Sequence, residues 1–141
     1  MNHRALAPDG WPRPRGYANG ISARGRQIYV AGQIGWNASQ QVVGTDIVTQ
    51  ARQALQNIVD ILACDDARPE HVVRLTWYVT SRDDYLTHAS ALGAVYRELF
   101  GAHYPAMSAV QVCALMETGA VVEIEATAVV PDAIRGADDH R

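Results

Sequence analysis

The sequence predicts an α+β fold in which one β-sheet carries two helices on a single face. Three observations lead there. The elements read in the order ββαβαββ, the hydrophobic period switches between 2 and 3.6 as the chain passes from strand to helix, and both helical stretches are apolar along one side. A chain of 141 residues, 48 % apolar and 19 % charged, is suited to one globular domain spanning residues 1–141, with no linker and no second core.

Residues 1–15 contain Pro8, Pro12 and Pro14 with Asp9-Gly10, which resist helix and central strand alike, so this stretch reads as an extended arm. Tyr17 to Ala23 and Gln27 to Ile34 are strand candidates around Arg24-Gly25, and a glycine there suits the tight turn of a β-hairpin. From Thr45 the period becomes helical. Ile47, Ala51, Ala54, Leu55, Ile58, Ile61 and Leu62 mark one face of a helix from Asp46 to Cys64, with the Asp46 charge at its positive end. Val72 to Thr80, rich in β-branched and aromatic residues, reads as a strand. Ser81, three residues before Asp84, opens a second helix. Its face comprises Tyr85, His88, Ala89, Leu92, Val95, Tyr96 and Leu99, and Gly101 closes it. Ala109 to Cys113 and Val121 to Val130 are strands around a Glu117-Thr118-Gly119 turn, and 132–141 is a charged, loose tail.

Composition excludes several chemistries. All twelve basic residues are arginine, so no lysine amine can form a Schiff base or hold pyridoxal phosphate. The net charge of -3 gives no general attraction to nucleic acid. His3, His71, His88, His103 and His140 fall at no metal-ligand spacing, and there is no glycine-rich phosphate loop. We therefore expect no metal and no cofactor. Cys64 and Cys113 read as buried free thiols of a cytoplasmic protein. No apolar run reaches the roughly 18 residues of a membrane helix, and no secretory h-region is apparent.

Four spaced motifs carry a resemblance: Gly16-Tyr17, Ala31-Gly32-Gln33-Ile34, Pro105-Ala106-Met107-Ser108-Ala109-Val110-Gln111-Val112 and Val122-Glu123-Ile124-Glu125-Ala126. With the helix signature Gln50-Ala51-Arg52-Gln53-Ala54-Leu55-Gln56-Asn57-Ile58, they make the chain similar to the Rid, or YjgF, family. The resemblance runs from about Gly16 to about Val130. It implies a chorismate-mutase-like homotrimer with small-molecule clefts between subunits. It also implies the family's activity, hydrolysis of reactive enamines and imines to carbonyl compounds and ammonia. Departures gather near the implied pocket: Gly16 for proline, Ala31 for serine, Gly35 for proline, and Met107 for the arginine that docks a substrate carboxylate.

Strand alternation puts Glu123 and Glu125 on one face, opposite Val122, Ile124 and Ala126. On residue type alone the two carboxylates read as side chains of a solvated face. The resemblance assigns Glu123 the catalytic role and leaves Glu125 structural. It matches Tyr17, which on residue type alone reads equally as an ordinary half-buried strand tyrosine, to a catalytic phenol of the cleft that hydrogen-bonds substrate or water, and Gly32 to a glycine bordering the pocket. Ser108 can donate a hydrogen bond there, or simply serve the backbone, and Trp36 either walls the cleft or anchors a surface loop. Methionine offers polarisable apolar surface where a guanidinium fork would bind carboxylate, unless Arg13 or Arg15 supplies the missing cation. Two functions follow: a hydrolase or deaminase of an imine, enamine or related carbonyl compound with atypical specificity, or a trimeric binding or regulatory module without turnover. An endoribonuclease reading has neither a basic groove nor a histidine pair behind it.

Overall fold

A computed structural model describes residues 3–132. Strands β1 (Arg4–Leu6) and β2 (Gly20–Ser22) form a small antiparallel ribbon. The main sheet contains β3 (Arg26–Ile34), β4 (Val72–Val79), β5 (Ala106–Gln111) and β6 (Val122–Val130) in the order β3-β6-β4-β5. Only β4 and β5 run parallel. Helices α1 (Ile47–Ala63), α2 (Arg82–Thr87) and α3 (Ala89–Phe100) complete the fold, and the core lies between α1, α3 and one face of the sheet. The α+β architecture is therefore as expected.

Helix α1 begins where the sequence placed it, because the Asp46 carboxylate accepts the Thr49 backbone N–H at 2.9 Å. This end cap contributes about 1 kcal/mol. Ile47, Ala51, Ala54, Leu55, Ile58 and Leu62 form its buried stripe against Leu75, Val122 and Ile124. Gln50 is the one polar residue in that stripe, fully buried, and it is fully bonded. Its amide donates to the carbonyls of Gly44 and Gly119, and its oxygen accepts the Val121 N–H at 2.8 Å. The start of β6 is thereby pinned to the helix two residues before Glu123.

Four local expectations are corrected. The strands around Arg24-Gly25 do not pair with each other: β2 pairs with β1, inside the expected arm, while β3 pairs with β6. The turn carries the chain onto β6, and Gly25 passes so close that an added Cβ would lie 2.0 Å from the Val130 carbonyl oxygen. The second helix is broken at His88 (φ -101°, ψ 16°), which caps both α2 and α3. His88 and Ala89 are consequently exposed, and the buried face is Leu92, Val95, Tyr96 and Phe100. The strand expected from Ala109 begins at Ala106 and ends at Gln111, held by parallel pairing along β4. Cys64 and Cys113 are exposed free thiols, since each follows the end of an element. The tail beyond Asp132 lies outside the described residues.

Candidate functional site

Two groups of the expected site residues come together, and they lie apart from each other. The first is built on a β-bulge. Between Val30, paired with Ala126, and Gln33, paired with Ile124, the two residues Ala31 and Gly32 face the single residue Glu125. Such bulges bend a strand and re-aim the groups beside it. Here Gly32 is brought against Glu123: a Cβ on Gly32 would sit 2.0 Å from Glu123 Oε2. The missing side chain is the space the carboxylate occupies.

The two glutamates share the face of the sheet away from the helices, as alternation required, but their partners differ. Glu125 accepts a hydrogen bond from the Tyr78 hydroxyl at 2.8 Å, and this bond to the carboxylate holds the phenol above its ordinary pKa. Glu123, half-buried, has no hydrogen-bond partner or ion pair among the described residues. One carboxylate is committed to its neighbour, and the other retains its lone pairs for a water or a ligand.

The second group surrounds the start of β5. The Ala18 N–H donates to the Pro105 carbonyl at 2.9 Å, and Ala18 bridges Ala106. This draws the Gly16-Tyr17 segment alongside β5, with Tyr17 42 % exposed. Met107 pairs in register with Leu75, so it shares the helix-covered face with Leu75 and Trp77 and packs on the core. It lines a cavity of about 280 Å³ together with Arg15 and Gly16. Of the two arm arginines, Arg15 is the one beside Met107. Ser108 points the other way, paired with Thr76 and exposed on the face of Glu125.

Trp36 joins neither group. It bridges Val42 and lines a shallow groove with Gln53, Asn57 and Asp60 of α1, and the Asn57 amide ties that loop down by donating to the Trp36 carbonyl at 2.9 Å. The surface-loop alternative describes its place in this chain. Gln50 was missed as a positioning residue because an interior glutamine carries no local sign of burial. No cluster of three metal-ligating side chains occurs among the described residues, and none of their helices is long and apolar enough to cross a membrane.

Residues 12–130 match the family model described as Endoribonuclease L-PSP. The chain belongs to this family, which is also that of the Rid proteins. It is 41 % identical over 105 residues to the 2-iminobutanoate/2-iminopropanoate deaminase of Capra hircus, covering 74 % of this chain and 73 % of the relative. With the enzyme of the same name from Escherichia coli it shares 32 % identity over 130 residues, covering 89 % and 97 %. Among solved structures, the Rid family protein YyfB of Yersinia pestis, described as of unknown function, superposes with a TM-score of 0.81. It is 34 % identical and covers 92 % of this chain and 100 % of its own. At family level these likenesses support a deaminase-like hydrolase.

Proposed function

We propose that this Rid family member hydrolyses an imine or enamine with a bulkier, apolar body than 2-iminopropanoate, and that it does so as a homotrimer. The observation that carries the reading is the uncommitted Glu123 carboxylate seated on Gly32. Glu123 takes a proton from water as the hydroxyl oxygen bonds to the imine carbon. Glu123 returns that proton to the nitrogen to give a carbinolamine; transfer of the carbinolamine hydroxyl proton to the amino group then forms the carbonyl as the C–N bond breaks, and ammonia leaves.

The trimer follows from a geometric difficulty within one chain. Glu123 lies on β6 and Met107 on β5, with β4 between them. Two strand spacings separate them by about 10 Å, and they sit on opposite faces of the sheet. One small imine cannot touch both. A neighbouring subunit that brings its Tyr17 and β5 edge toward Gly32 and Glu123 completes a cleft. The same packing would cover Tyr29 and Val110, which are 72 % and 45 % exposed on the open face. Met107 then offers apolar surface, and Arg15 the cation.

The test generates imines with an amino-acid oxidase and follows their loss in competition with semicarbazide. The wild type should sediment as a trimer and act faster on the imine from phenylalanine than on that from alanine. Glu123→Gln should lower turnover by about a hundredfold or more, and Glu125→Gln by much less. A monomer, or a Glu123→Gln variant as active as the wild type, would overturn the reading.

A further inference from the structure

The open face of the sheet puts two carboxylates within reach of each other. Glu123 and Glu125 stand two residues apart on β6, a span of about 7 Å that two glutamate side chains can close. Carboxylates that meet share a proton, and the pair then keeps its last proton to a higher pH than either group would alone. A base that has to be ionised near neutrality is weakened by such a partner. In this chain Glu125 is turned elsewhere.

The residue that turns it is Tyr78. In the register between β4 and β6, Tyr78 faces Glu123 and Thr76 faces Glu125, so cross-strand pairing alone would leave the phenol beside Glu123. The hydroxyl instead crosses the diagonal and donates to Glu125 Oε1 at 2.8 Å. That bond holds the phenol above its ordinary pKa, and Tyr78 therefore stays a donor through the neutral range. No other group on this face takes its place. Strand β4 adds Arg74, exposed and without an ion pair among the described residues. Strand β3 adds Tyr29, whose hydroxyl is given to Gln27, and β5 adds Ser108 and Val110, which carry no charge.

We infer that Tyr78 is a positioning residue for the reaction: its hydroxyl tethers Glu125, so that Glu123 does not share a proton with it. This role rests on the reading of Glu123 as the base. The tether itself can be measured without turnover.

Carbon-13 labelling of the glutamates in the full-length protein lets the Glu123 carboxyl carbon be followed by NMR as pH is varied, its signal identified by its loss in Glu123→Gln. Tyr78→Phe keeps the ring of this half-buried side chain and removes only the hydroxyl. It should move the Glu123 midpoint up by about one pH unit. Adding Glu125→Gln to Tyr78→Phe should bring the midpoint back to the wild-type value or below, because glutamine has no acid proton to share. Glu125→Gln alone should not raise it. The acid limb of kcat/KM should follow the same pattern, falling by up to about tenfold on the limb in Tyr78→Phe with the plateau unchanged. A tyrosine with a purely structural role would lower the melting temperature and leave the midpoint where it was. An unmoved midpoint in Tyr78→Phe, or a raised one that Glu125→Gln does not reverse, would overturn the inference. A moved midpoint with Glu123→Gln as active as the wild type would sink the base and leave the tether; an impaired Glu123→Gln with an unmoved midpoint would do the reverse.

Discussion

Gly32 and Gly35 stand three residues apart, and the structure gives their substitution by alanine opposite consequences. A Cβ at Gly32 meets Glu123 Oε2 at 2.0 Å, Cδ at 2.8 Å and Cγ at 3.0 Å. All three belong to a side chain that can rotate away. An off-rotamer torsion costs about 0.5–1.5 kcal/mol, so Gly32→Ala should fold with its melting temperature lowered by no more than about 6 °C. The carboxylate must nevertheless move by about 1 Å or more, and a displacement of that size costs roughly a hundredfold in rate. At Gly35 the Cβ instead meets Gln50 Cα at 2.7 Å and Gln50 O at 2.8 Å, which are backbone atoms of a packed helix. Gly35→Ala should therefore lose about 1–3 kcal/mol, some 4–12 °C. Imine turnover and thermal melting on both variants separate the cases. A Gly32→Ala protein with full turnover would refute the fixed position of Glu123 as the origin of rate, and a Gly35→Ala protein as stable as wild type would refute the close packing of α1.

Two further variants probe what positions β6 and α1. Gln50→Leu strands the Val121 N–H and the carbonyls of Gly44 and Gly119, which should cost at least about 2 kcal/mol and lower the melting temperature by about 8 °C; equal stability would mean that water replaces the amide. Asp46→Ala should lose about 1 kcal/mol at neutral pH. The Thr49 hydrogen bonds hold the Asp46 carboxyl below its ordinary value of 3.8, so the cap's contribution is present above that value and fades as pH falls through the lower folded one. The melting difference between Asp46→Ala and wild type should shrink toward zero in acid, and a constant difference would refute the cap as its source.

What could be read in advance was local. Asp46, the stripe from Ile47 to Leu62, and the Val122-Glu123-Ile124-Glu125 alternation each declare themselves within a few residues, and α1 and β6 appear where they were expected. Partner choice is non-local, which is why β2 was assigned to β3 when it pairs with β1. The break at His88 carries neither proline nor glycine. Beginning the strand that forms β5 at Ala109 left the face of Met107 undetermined, and that face separates Met107 from Glu123. Gly32 signals a close approach in its strand, but that the approaching group is Glu123 is set by the pairing of β3 with β6.

Met107 gains a physical meaning from its surroundings. Arg15 and Arg97 already line the cavity it enters, with no acidic residue beside them. A third guanidinium there would add to two like charges already at the mouth of the cavity, both on exposed side chains. Methionine fills the irregular gap between Leu75 and the cavity's Tyr85, Tyr96 and Tyr104 without adding charge, and a thioether sits favourably at aromatic edges. The cation that β5 lacks is offered instead from the arm and from α3. A methionine in place of arginine is thus a residue this cavity accommodates.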